Sequence, residues 1–137
     1  MKYEWLDDFL RSFPGAEYDY KLEWQWHRYR VHGKMFAAVL RVDEGHGGVF
    51  AQYAGHELIN LKCDPRMGEL LRAEYPDVRP GFYMDKHSWI AVYLDGTLPD
   101  ELLRGLCEQS YRLVVEKLPK YVQRALRDGE EDAGDGV

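Results

Sequence analysis

From Trp24 to Val42 the chain carries no acidic residue, while Arg28, Arg30 and His32 recur at every second position, with Lys34 and Arg41 close by. In an extended strand that spacing puts the three side chains on one face, and a row of cations is what phosphates require. Lys62 and Lys86 lie further along, and Trp89 and Tyr93 sit in a later apolar stretch. Rings beside cations suit unstacked bases, each of which gains roughly 1–3 kcal/mol on an aromatic platform. We therefore expect a nucleic-acid surface, DNA included, built from Arg28, Arg30, Lys34, Arg41, Lys62 and Lys86. The alternative is a groove lined by Trp24, Trp26, Trp89 and Tyr93 that holds a small molecule or a peptide. A plainer option is that the basic side chains only solvate a sheet, their stems covering Trp26 and Trp89.

Other chemistries find less support. The 5 histidines, His27, His32, His46, His56 and His87, lack the tight spacing of metal ligands, so no metal is expected. Gly45-His46-Gly47-Gly48 is not followed by the Gly-Lys-Ser/Thr of a phosphate loop and reads as a flexible hairpin tip. Ser110 falls mid-helix, and Cys107 falls on a buried stripe where a thiolate would be costly. We expect no catalytic residue and no cofactor, and hence a binding module rather than an enzyme. Cys63 and Cys107 have no paired spacing and read as buried thiols in a reducing cytoplasm.

The elements that must position these residues follow from apolar periodicity. Trp5, Leu6, Phe9, Leu10 and Phe13 make one stripe of a helix over residues 2–13, stopped by Pro14-Gly15. Residues 26–32 alternate as a strand, Gly33-Lys34 turn, and residues 35–42 form a second strand apolar on both faces. A third strand spans 57–63. Asp64 then caps a short helix with Pro65 at its first position. Pro76 to Gly81 reads as a loop, Phe82 to Asp85 as a short strand, and Ser88 to Leu94 as the last one. Thr97, three residues before Asp100, resembles a capping box for a helix that buries Leu103, Leu106, Cys107, Val114 and Leu118, with a further turn or two to Arg127. This order implies an α+β fold of two layers, an antiparallel five-stranded sheet with helices on one face. The opposite face would then stay open for the basic and aromatic side chains, or for a weak homodimer.

Length predicts one domain over residues 1–127. The net charge of −6 argues at first against nucleic acid, but five of the 24 acids lie in residues 128–137, leaving 19 against 18 bases. That acidic stretch, with three glycines and no base, is expected to be a disordered tail. The first 13 residues carry acids within an amphipathic pattern, and no apolar run approaches the roughly 20 residues of a membrane span. A cytoplasmic protein without a membrane partner is expected, monomeric or weakly dimeric.

Several runs carry a resemblance. They are Phe13-Pro14-Gly15-Ala16-Glu17, Gly33-Lys34-Met35-Phe36-Ala37, Leu61-Lys62-Cys63-Asp64-Pro65, Asp77-Val78-Arg79-Pro80-Gly81, the segment from Lys86 to Asp100, and Ser110-Tyr111. In this order, across residues 13 to 120, they resemble the MmcQ/YjbR family of small bacterial proteins. The resemblance implies an α-β(3)-α-β(2)-α fold, and a DNA-binding role through the likeness of some members to a winged transcription-factor domain. The sequence departs from the family where Ser88 precedes Trp89. Many members have histidine there, and His87 falls one residue earlier, on the other strand face. Residues 43–56 are also longer than the resemblance predicts between adjacent strands.

Overall fold

The computed structural model describes residues 2–135, with side chains as far as Gly129. Helix α1 (Leu6–Arg11) buries Leu6 and Leu10 completely, worth roughly 1.5–3 kcal/mol each. Strands β1 (Ala16–Lys21), β2 (Trp26–Val31) and β3 (Lys34–Arg41) follow as an antiparallel meander. Strand β1 was not expected from the sequence. The β2–β3 turn consists of His32 and Gly33, at φ 49° and 78°, the two left-handed positions of a tight hairpin. His32 therefore belongs to the turn rather than to the strand.

Strand β4 (Glu57–Lys62) is reached through residues 42–56, which contain a short 3-10 helix, Gly48–Tyr53. Asp64 caps α2 (Pro65–Glu74) as predicted, accepting from the backbone N–H of Arg66 at 3.0 Å and of Met67 at 3.3 Å. Strand β5 is Val78–Pro80, inside the stretch expected to be a loop, while residues 82–85 turn back instead of forming a strand. Strand β6 (Trp89–Tyr93) precedes α3 (Asp100–Glu116) and α4 (Lys120–Asp135). Thr97 caps nothing. Its backbone N–H bonds Asp77 Oδ2 at 2.7 Å, and Pro99 opens α3 without a side-chain cap. Helix α4 continues beyond Arg127, where the sequence placed its end; the tail expected at 128–137 falls largely outside the described side chains.

The fold is α+β, with six antiparallel strands in the order β1-β2-β3-β4-β6-β5. Six strands stand where five were expected: β1 and β5 were not foreseen, and the strand expected at residues 82–85 is absent. On one face, Phe36, Val39, Ile59, Leu61, Ile90 and Val92 pack against Leu6, Leu10, Leu103, Leu106, Cys107 and Val114 of the helices. On the other, Trp26, Ala38, Leu40, Val42, Leu58, Ala91 and Tyr93 form a second core with Tyr53 and Phe82. Sheet alternation thus feeds two cores, which is why the interiors of β3 and β4 are apolar on both faces apart from Asn60. Both cysteines are buried and free. Burial pushes the Cys63 thiol up to about 11 and the Cys107 thiol higher still. No helix among the described residues is long and apolar enough to cross a membrane.

Candidate functional site

The helix-free face is roofed by the chain itself, which corrects the expected open platform. Two segments form the roof. Residues 43–56 bring Tyr53, whose hydroxyl donates to Pro80 O at 2.6 Å, and the Tyr93 hydroxyl donates in turn to Gln52 O at 2.6 Å. Residues 81–88 are held by Asn60, fully buried on β4, which donates through Nδ2 to Phe82 O and accepts through Oδ1 from Phe82 N, both at 2.9 Å. Phe50 stacks on Tyr83 at 4.2 Å, and Phe82 meets Tyr53 edge-on at 5.1 Å. The glycine-rich stretch is therefore a folded cover, not a free hairpin tip.

The six basic residues expected to act together are dispersed. Arg28 and Arg30 do point away from the helices, but Asp19 on β1 stands beside them. Arg28 bonds both oxygens of Asp19, at 2.8 and 2.6 Å, and Arg30 reaches Oδ2 at 3.0 Å. One carboxylate thus half-neutralises the pair. Arg41 is in phase with Val39, on the helix side, and pairs in register with Glu57, so the sheet separates it from both arginines. Lys34 and Lys62 meet Trp89 at the other end of the strands, joined by Lys117, which the sequence reading did not single out. Lys86 lies apart in the roof, beside Phe50, Tyr83 and Met84. Tyr93 is buried beneath the roof, with the His56 ring stacked on it at 3.9 Å and 3°.

The hydrogen bond from Arg28 holds the Asp19 carboxyl below its ordinary value of 3.8. A carboxyl depressed in the folded state stabilises the fold above its unfolded value and loses that contribution as pH falls through the folded one. The stability gap between the native chain and Asp19→Asn is thus expected to be constant at neutral pH and to close on acidification below 3.8. Urea denaturation of both proteins across the acid range measures it, and a gap that persists unchanged in acid contradicts the assignment.

Of the four groove residues, Trp24 and Trp26 do come together. They form one wall of a hollow of about 310 Å³, with Phe82 and Tyr83 opposite, Leu40 and Val42 as floor, and Arg41, Asp43 and His46 at its border. Trp24 and Trp26 meet edge to face at 5.4 Å, and Trp26 lies 6.5 Å from Phe82. Trp24 is 54% exposed and Tyr83 58%, whereas Trp26 and Phe82 are buried. The rings at the mouth are thus open above an anchored apolar base. Two residues of this hollow, Gln25 and Tyr83, hold positive φ, 60° and 56°. Such strain in non-glycine residues costs about 1–3 kcal/mol each and gathers at ligand clamps. Phe82 and Tyr83 escaped the sequence reading because residues 82–85 look like a strand, and His46 was read there only as part of a hairpin tip and as a histidine without metal-ligand spacing. Trp89 and Tyr93 do not reach this hollow. His46 Nε2 lies 3.4 Å from the Tyr83 hydroxyl, while His56 contacts Asp95 at 3.0 Å, so the two histidines serve different places. Among the described residues no group of three His, Cys, Asp or Glu could hold a metal ion.

A family model for YjbR matches residues 11–113. The chain belongs to the YjbR family. It is 34% identical over 121 residues to the YjbR protein of Escherichia coli K12, covering 88% of this chain and 93% of that one. It is also 36% identical over 70 residues to YyaQ of Bacillus subtilis, covering 51% and 52% of the two chains. In fold it is similar to the crystal structure of Deinococcus radiodurans DR2400, with a TM-score of 0.71, 28% identity, and 88% and 84% of the chains covered. A Pseudomonas syringae protein shares the fold at TM-score 0.66 and 24% identity, covering 82% and 98%.

The motifs that resemble the YjbR family interlock here as structure. Ser110 Oγ donates to Phe36 O at 2.6 Å and accepts from Lys62 N at 2.8 Å, joining two of the motifs through α3. The Tyr111 hydroxyl donates to Pro14 O at 2.6 Å, and its ring stacks on Phe13 at 4.8 Å. Asp77 receives Thr97 so closely that a methyl group at Gly96 would overlap its carboxylate. These contacts of the family motifs are packing contacts, and the groove residues Trp24, Trp26, Phe82 and Tyr83 lie outside the motifs.

Proposed function

We propose that this YjbR-family chain is a cytoplasmic binding module that takes a small planar, apolar molecule in the groove between Trp24 and Tyr83. The observation that supports it is the pairing of half-exposed rings with a buried apolar base at a place where Gln25 and Tyr83 hold strained backbone. Sites of this kind combine apolar walls with a few polar groups that orient the ligand, and Asp43 and His46 are suited to that role. The two buried thiols fit a reducing compartment. Between the two partners expected from the sequence, we favour the small molecule over nucleic acid. The cationic row shares Asp19, and Tyr93, one of the two rings meant to stack with bases, lies under the roof.

Calorimetric titration with a panel of uncharged aromatic compounds tests the reading. One member is expected to bind, and Trp24→Ala is expected to weaken it about tenfold, the order of one lost aromatic stacking contact. Because the Trp24 ring is largely outside the core, the melting temperature is expected to stay close to native. A panel without binders, or equal affinity after Trp24→Ala, removes the groove from consideration.

A further inference from the structure

At the opposite ends of the strands, the start of β3, the end of β4 and the start of β6 converge on the end of α3 around a hollow of about 370 Å³. Its polar border is Lys34, Lys62 and Lys117, and its apolar lining includes Met35, Met84 and Trp89. No carboxylate lines it, and none of the three lysines enters an ion pair among the described residues. We propose that this hollow is a second binding site, for an organic anion with a flat apolar body, and that it is separate from the groove at Trp24.

Three features support the assignment. First, like charges gathered around an apolar wall repel one another, and a bound anion turns that repulsion into attraction, more strongly near the protein surface than in bulk water. Second, Lys62 is placed firmly, because its backbone N–H is bonded by the buried Ser110 hydroxyl and its register partner is Trp89. A cation and an indole ring are thus held side by side at the strand ends. Third, the two methionines give an adaptable thioether lining that accommodates a range of ring shapes. An ammonium is a compact charge without the fork geometry of arginine, so carboxylate, sulfonate and phosphate are all suitable heads. Lys34 and Lys62 thus keep the anion-binding role expected of them, in different company.

The probe is 8-anilinonaphthalene-1-sulfonate, compared with N-phenyl-1-naphthylamine, which has the same ring body and no charge. The sulfonate is expected to bind one per chain, to weaken as salt is raised, and to exceed the neutral compound about tenfold. Combining Lys34→Gln, Lys62→Gln and Lys117→Gln is expected to abolish that preference, with thermal melting as the check that the fold persists. In the native 15N-labelled protein, the Trp89 indole N–H is expected to shift on binding while those of Trp24 and Trp26 stay in place. Equal affinity for the two probes as read at the Trp89 indole N–H, undiminished sulfonate binding there by the triple variant, or a shift confined to Trp24 and Trp26 would each overturn the proposal.

Discussion

Asn60→Leu is expected to destabilise the protein by about 3 kcal/mol, because it leaves two buried backbone groups without partners. The asparagine sits at the centre of the sheet, between Ala38 and Ala91 in register, and is entirely buried. Those small neighbours leave it room, and its amide reaches both the N–H and the C=O of Phe82 at 2.9 Å. Leucine has the same branched outline, somewhat bulkier, and can offer neither bond, so Phe82 must either keep two orphaned groups or lift away toward water. Phe82 also forms one wall of the groove, and the same variant is expected to weaken groove binding. Asn60→Asp retains the acceptor and loses the donor, and is expected to be harmful as well, since a carboxylate there would be buried without a cation. Urea denaturation gives the stability difference; a loss below about 1 kcal/mol for Asn60→Leu would show that the roof is held chiefly by its rings.

Ser110→Ala is expected to cost about 2 kcal/mol, again by orphaning buried backbone groups rather than by the loss of packing. Serine in a helix interior normally turns its hydroxyl to solvent or back to its own helix. Here it faces the sheet and is fully buried, donating to Phe36 O and accepting from Lys62 N. One hydroxyl thus ties the beginning of β3 to the end of β4 through α3. Its removal is expected to raise the amide exchange rate of Lys62 well before that of the strand centre, a readout that separates this role from general loosening. Unchanged protection at Lys62 would contradict it.

What could be read from the residues alone was governed by local pattern. The Asp64-Pro65 start of α2, the apolar stripe of α3 and the doubly apolar β3 are written in side chains near one another in the chain. Strand β1 was hidden because Ala16–Lys21 alternates charged and aromatic residues, with low strand preference at Glu17, Asp19 and Lys21. That omission also concealed the acid facing Arg28 and Arg30, and so made the basic row look free. The roof was invisible for a different reason. Glycine content at residues 43–56 suggests freedom, but the anchors are Tyr53, Tyr93 and Asn60, whose bonds span 22 to 41 residues of chain. Phe82 and Tyr83 have the composition of a strand, yet Tyr83 adopts φ 56°, so the segment reverses. Lys117 lies just past the end of α3, where no periodic signal marks a lysine as belonging with residues of three different strands.

With both broad faces of the sheet covered, β1 and β5 are its only margins, and neither is a template on which another chain could add a ladder. Strand β1 presents a border studded with Glu17, Asp19 and Lys21, while β5 is three residues long and closes on Pro80, which has no N–H to offer. The protein is thereby guarded against edge-to-edge aggregation at both sides.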